Sequence, residues 1–170
     1  DDQLFAGDQI YVFSHVEDTN RTLDIFGKAT KKQERVVIIG GGNVGLAVAR
    51  ALERRTDRIR AKIIEKSRAH AERAADSLER TIVLNGDGTD LEFLEMEGIG
   101  RSDVVVSVID NDERNLMASL LVRQLGAGRV ITRVSRRANL RLFERVGVDV
   151  ALSARGSAVA SVLHEIKGGT

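Results

Sequence analysis

The chain has 170 residues, 42% of them hydrophobic, which suffices for one good domain, or one domain and a fragment of another. Its 26 Lys and Arg against 25 Asp and Glu leave a net charge of +1, too weak a field to favour nucleic acid. Cysteine is absent, which removes disulfides, thiolate metal sites and cysteine nucleophiles, and no run of 18 apolar residues offers a membrane span.

The sequence starts at Asp1 without an initiator Met or a signal-peptide pattern, as a piece of a longer chain would. A turn at Gly7-Asp8 precedes a predicted strand from Gln9 to Phe13. A short helix follows, capped by Asp18 or Thr19 and stopped by Gly27. One strand and one helix do not bury enough surface to stand alone. Residues 1–27 are therefore expected to be the end of a preceding subdomain or an arm that packs elsewhere. Residues 28–34, KATKKQE, carry only Ala29 as an apolar side chain and read as a linker.

From Arg35 the pattern becomes regular, and residues 35–170 form the main predicted domain. RVVIIG leads to a helix from about Asn43 to Arg54, and AKIIE to one from about Ser67 to Leu78. TIVLN precedes a helix from about Asp90 to Glu97, and DVVVSVI one from about Asp112 to Leu125. RVITRV precedes a helix from about Ala138 to Arg145, and DVAL one from about Ser157 to Ile166. Six nearly continuous apolar strands, each followed by a helix, predict a doubly wound parallel α/β sheet of Rossmann type, with helices on both faces. Two helix starts carry cap signals: Thr89 with Glu92 as a capping box, and Asn111 as an N-cap.

Gly40-Gly41-Gly42-Asn43-Val44-Gly45 fits G-x-G-x-x-G where the motif has meaning, after a strand and at the start of a helix. Gly40 allows the tight turn, Gly42 lets a pyrophosphate approach the backbone, and Gly45 allows close packing of helix on strand. The helix N-terminus, with Asn43 and Val44, offers unpaired N–H groups and partial positive charge to phosphates. Glu65 ends the second strand, 20 residues beyond Gly45, where a carboxylate accepts the hydroxyl protons of an adenosine ribose and repels a 2′-phosphate. Lys66 and Arg68 follow it and leave room for some tolerance of that phosphate. NAD(H) is the first expectation for the ligand; ATP, ADP and AMP carry the same ribose.

Strand C-termini line the ligand crevice of such folds. That places the Asp87-Gly88 loop near the adenine, and Ser107 and Val108 facing the cleft. Asp87 also fits a plain turn. The acidic run Asp110-Asn111-Asp112-Glu113 reads as a helix cap, with a hard-metal site as the alternative. Arg133, ending the fifth strand, fits either a ligand phosphate or a structural ion pair. His15, His70 and His164 are scattered and read as structural or exposed. No second domain fits after residue 166 to supply a dehydrogenase's acid or base.

The motifs VVIIGGGNVGLAVARAL, KIIEKS, VLNGDGTD, DVVVSVIDNDERNLMASLLVRQLGAGRVITRV and GVDVALS together resemble the regulator-of-potassium-conductance domains, the KTN or TrkA-N family, over about residues 35–166. AGDQIYVF and the helix ending at Gly27 resemble the end of a TrkA-C subdomain. The resemblance implies a non-enzymatic cytoplasmic regulator, peripheral to the membrane, that gates a potassium transporter subunit according to bound nucleotide. It implies pairing as homodimers or larger rings. Where the family usually has alanine, this loop has Gly88, which departs from the pattern. Two other readings stay open: an NAD-dependent oxidoreductase fragment, and a dimerisation scaffold with an empty glycine loop.

Overall fold

A computed structural model describes residues 35–55, 58–153 and 158–166. The arm and linker expected before Arg35, and the helix start at Ser157, lie outside these residues. Six strands form one wholly parallel sheet: β1 (Arg35–Ile39), β2 (Arg60–Glu65), β3 (Ile82–Asn85), β4 (Val104–Ser107), β5 (Arg129–Val134) and β6 (Val150–Ser153). Their order is β3-β2-β1-β4-β5-β6, the doubly wound arrangement predicted from the alternating pattern. Helices α1 (Asn43–Arg55), α2 (Arg68–Asp76), α3 (Leu91–Met96), α4 (Asp112–Gln124), α5 (Leu140–Arg145) and α6 (Ala158–Ile166) alternate with them.

The period of two in a strand divides β1 between both faces of the sheet. Val36 and Ile38 pack with Val48, Ala49 and Leu52 of α1 and Val162, Leu163 and Ile166 of α6. Val37 and Ile39 pack on the other face with Leu94 of α3 and Ala118 and Val122 of α4. Every β1 residue after Arg35 is buried, and each such Val or Ile contributes roughly 1.5–3 kcal/mol. This is why the central strands read as unbroken apolar runs. The strand order reverses between β1 and β4, which leaves a crevice at their C-terminal ends.

Helix starts follow local chemistry. Asn111 caps α4 as expected, its Oδ1 accepting from Arg114 N–H at 2.8 Å. The predicted Thr89–Glu92 capping box is not formed. Asp90 caps α3 instead, accepting from Phe93 N–H, while Thr89 donates its N–H and hydroxyl to Asp87 Oδ1 at 3.0 and 2.8 Å. A neighbouring carboxylate outcompeted the backbone for the Thr89 hydroxyl.

Glu53 on α1 ties down the turn before β3. Its carboxylate accepts from Arg80 N–H (2.8 Å), Thr81 N–H (2.7 Å) and the Thr81 hydroxyl (2.8 Å). Burial alone would raise this carboxyl, but the donors outweigh it and hold it below its ordinary value. Glu53→Ala is expected to cost about 1–2 kcal/mol, read as a lower urea midpoint at unchanged slope. An unchanged midpoint would show that water replaces the carboxylate at no cost.

Candidate functional site

The glycine loop sits at the head of β1, and each glycine is there for its own reason. Gly40 has φ +111°, the left-handed region, and donates its N–H to Ile64 O at 2.9 Å. A Cβ on Gly45 would lie 1.9 Å from Gly40 O, so only glycine lets α1 approach the turn. Around Gly42 the space is open, with nothing within 4 Å of an added Cβ. The α1 hydrogen bonding begins with Leu46 N–H to Gly42 O at 2.9 Å. Gly42 therefore stands at the N-cap, and the first-turn N–H groups, which have no acceptor within the helix, face outward.

Glu65 meets this loop from β2. Its Oε2 accepts from Gly41 N–H at 2.6 Å and its Oε1 from Ser67 N–H at 2.8 Å. A Cβ on Gly41 would lie 3.0 Å from the Glu65 Cβ, which explains the middle glycine of the triplet. An ionised carboxylate has about four acceptor positions, so both oxygens can still accept ribose hydroxyls.

Across the crevice, β4 ends at Ser107 while β5 runs on to Val134. Asn115 of α4 fills the gap: its Oδ1 accepts from the Ser107 hydroxyl and Ile109 N–H, both at 2.8 Å. Its Nδ2 donates to Ile109 O at 2.7 Å and Arg133 O at 3.1 Å. Arg133 pairs with Asp110 at 3.0 Å. Asp87 receives Lys66 and Arg114, each at 2.8 Å. Burial opposes the charge on Asp87, but Lys66, Thr89 and Arg114 outweigh it and hold its carboxyl well below the carboxylate range.

These groups enclose a cavity of ≈ 630 Å³. One half is walled by Ile64, Glu65 and Lys66 with His70, Arg73 and Ala74 of α2. Gly40 to Val44 form its centre, and Val108, Ile109, Asp110, Arg114 and Arg133 wall the other half. The volume lies within the usual range for small-ligand sites. Among the described residues no cluster of three or more His, Cys, Asp or Glu could hold a metal, and no helix is long and apolar enough to cross a membrane.

The TrkA-N domain profile matches residues 36–154. The chain belongs to the TrkA-N family. This TrkA-N domain is 41% identical, over 168 residues, to the Trk system potassium uptake protein trkA homolog 1 of Methanosarcina mazei, covering 99% of the chain and 41% of that relative. It thus spans about two fifths of the length of that curated relative. Its fold is similar to the NAD(P)-binding domain of an exopolyphosphatase-related protein from Archaeoglobus fulgidus (TM-score 0.64, 23% identity, 80% of this chain and 98% of that one). It is similar as well to the GsuK channel bound to NAD (TM-score 0.62, 19% identity, 72% of this chain and 22% of that one).

The structure brings most of the sequence-predicted site residues of this TrkA-N domain together. Gly40, Gly42, Asn43, Val44, Glu65, Lys66, Gly88, Val108 and Arg133 line the cavity. Gly45 lies beneath the turn rather than on the wall. Asp87 is engaged by Lys66, Thr89 and Arg114 and is not among the lining residues. Ser107 does not face the cleft: it is fully buried, with its hydroxyl on Asn115. The strand ends at Ser107, and Val108 and Ile109 make the wall instead. Gly88 has a packing reason, since a Cβ there would lie 2.2 Å from Ile39 Cγ2. Sequence reasoning missed His70, Arg73 and Arg114 as cavity residues. The spacing 70, 73, 74 puts three residues on one helical face and was the available signal.

Proposed function

We propose that this TrkA-N domain binds NAD(H) along the crevice, with Glu65 accepting the adenosine ribose hydroxyls and the diphosphate on the α1 N-terminus. The observation that carries the reading is the continuity of the cavity. It runs from Glu65, past the open face of Gly42, to Ile109 and Arg133 beyond the β1–β4 reversal. A mononucleotide needs one half of such a crevice; a dinucleotide uses both. ATP, ADP and AMP share the Glu65 half and act as competitors there. Lys66 and Arg133 stand beside the sugar and the distal phosphate position, each paired with a carboxylate, Asp87 and Asp110, that a ligand phosphate would compete with.

We read the domain as a sensor rather than a catalyst. Its relative in Methanosarcina mazei carries the name of a potassium uptake protein. In this reading the domain works on the cytoplasmic face of the membrane, paired with further copies of itself. It reports its occupancy to a membrane potassium transporter. A nucleotide regulates only by its differential affinity for two states of that assembly. Calorimetric titration with NADH, NAD⁺, ATP, ADP and AMP tests the ligand. Heat is expected with NADH and NAD⁺; a chain that gives none with all five is not a nucleotide sensor.

A further inference from the structure

We propose that Asn115 is a positioning residue that sets the width of the distal half of the cavity, and hence the preference for a dinucleotide over a mononucleotide. The inference rests on the nucleotide reading above. β4 and β5 remain paired through Ser107↔Thr132 and then part. Just past that point, the Asn115 side chain joins both strand ends, donating to the carbonyls of Ile109 and Arg133 and accepting from Ile109 N–H. It stands in for the ladder where the ladder stops. Ile109 and Arg133 both line the cavity.

Nothing in this arrangement is loose. Asn115 is fully buried, and its amide uses two donors and two acceptor positions, its whole capacity. Its carbonyl oxygen in the main chain accepts from the Ser119 hydroxyl at 2.7 Å, and Ser119 meets the Thr132 hydroxyl at 2.5 Å. That pair sits one helical turn deeper and does not touch the strand ends beyond Ser107 and Thr132. Asp87 links Lys66, in the half of the cavity around Glu65 and α2, to Arg114 beside Asn115 on α4, but among the described residues no hydrogen bond joins Glu65 or α2 to the Asn115 side chain. A ligand confined to that half is indifferent to Asn115; one that crosses the glycine loop depends on it.

The test is a pair of calorimetric titrations, NADH and AMP, on the full chain. Asn115→Asp keeps both acceptor contacts but turns an oxygen toward the carbonyls of Ile109 and Arg133. NADH affinity is expected to fall about tenfold while AMP affinity stays within about twofold. Asn115→Ser, which brings no charge into the core, shifts the same ratio in the same direction and serves if the charged variant does not fold. Ser119→Ala lowers Tm as a general weakening of the network would, yet leaves the NADH/AMP ratio at its wild-type value. An equal loss of both ligands in the Asn115 variants, no loss of either, or the same ratio change in Ser119→Ala would overturn the proposal. A wild-type chain that binds neither probe would remove the nucleotide reading and this inference with it.

Discussion

A Gly42→Asp chain is expected to melt within about 2 °C of the wild type or slightly above it, and to lose NADH affinity by at least about a hundredfold. The two halves of this result have separate causes. Stability is spared because an added Cβ at Gly42 meets nothing within 4 Å. Gly42 also stands at the N-cap of α1, where aspartate is among the preferred residues, worth roughly a few tenths of a kcal/mol over glycine. Binding is lost because the new carboxylate occupies the place of the diphosphate, repels it, and takes up the N–H groups that would hold it. A hundredfold corresponds to about 2.7 kcal/mol, within reach of one like-charge contact in a partly enclosed site. Undiminished affinity in a well-folded variant would place the ligand elsewhere. Gly45 offers no such test, since any Cβ there collides with Gly40 O and the loop itself is lost.

The glycine loop was legible because its demands are local. A left-handed turn at Gly40 and a close approach at Gly45 admit only glycine, so the letters carry the geometry. Glu65 was legible for the same reason, as the acid that closes the second strand. The strand order followed from the alternation of buried runs with helices. What stayed hidden depended on where elements end and on contacts between distant elements. The apolar run DVVVSVI predicts a fourth strand through Ile109 and so a Ser107 in the cleft; the pairing stops two residues earlier, and Asn115 takes over. For Asp87 the sequence leaves both a place near the adenine and a plain turn open; in the structure Lys66 and Arg114 converge on it from elements 21 and 27 residues away in sequence. Thr89 looked like a cap until Asp87 stood beside it. No single-sequence pattern encodes those competitions, because each is decided by a partner that only the fold brings near.

Asp112→Asn is expected to lower stability by about 3 kcal/mol at pH 7, a fall in Tm of roughly 6–12 °C for a domain of this size. Asp112 begins α4 but serves the loop after β5. Its Oδ1 accepts from Ser135 N–H at 2.7 Å, and its Oδ2 from Arg136 N–H and Asn139 Nδ2, both at 3.1 Å. An amide of the same shape keeps one acceptor oxygen and presents an NH₂ to donors that already face it, at a residue only 6% exposed. Burial raises the Asp112 carboxyl, but these donors, together with the Ser135 side chain, prevail and hold it below its ordinary value. A carboxyl depressed in the folded state contributes stability above its unfolded pKa, about 3.9, and loses it as pH falls toward the folded value. The gap between wild type and Asp112→Asn is therefore expected to be constant from pH 7 to about 5 and to close below about 4. Asp87, depressed as well, weakens both chains in that same acid range, so the difference between them is the quantity to follow. Thermal melts of both chains across pH 7 to 3 measure it. A gap that persists undiminished at pH 3 would mean that packing, and not the charged acceptor, holds the loop to α4.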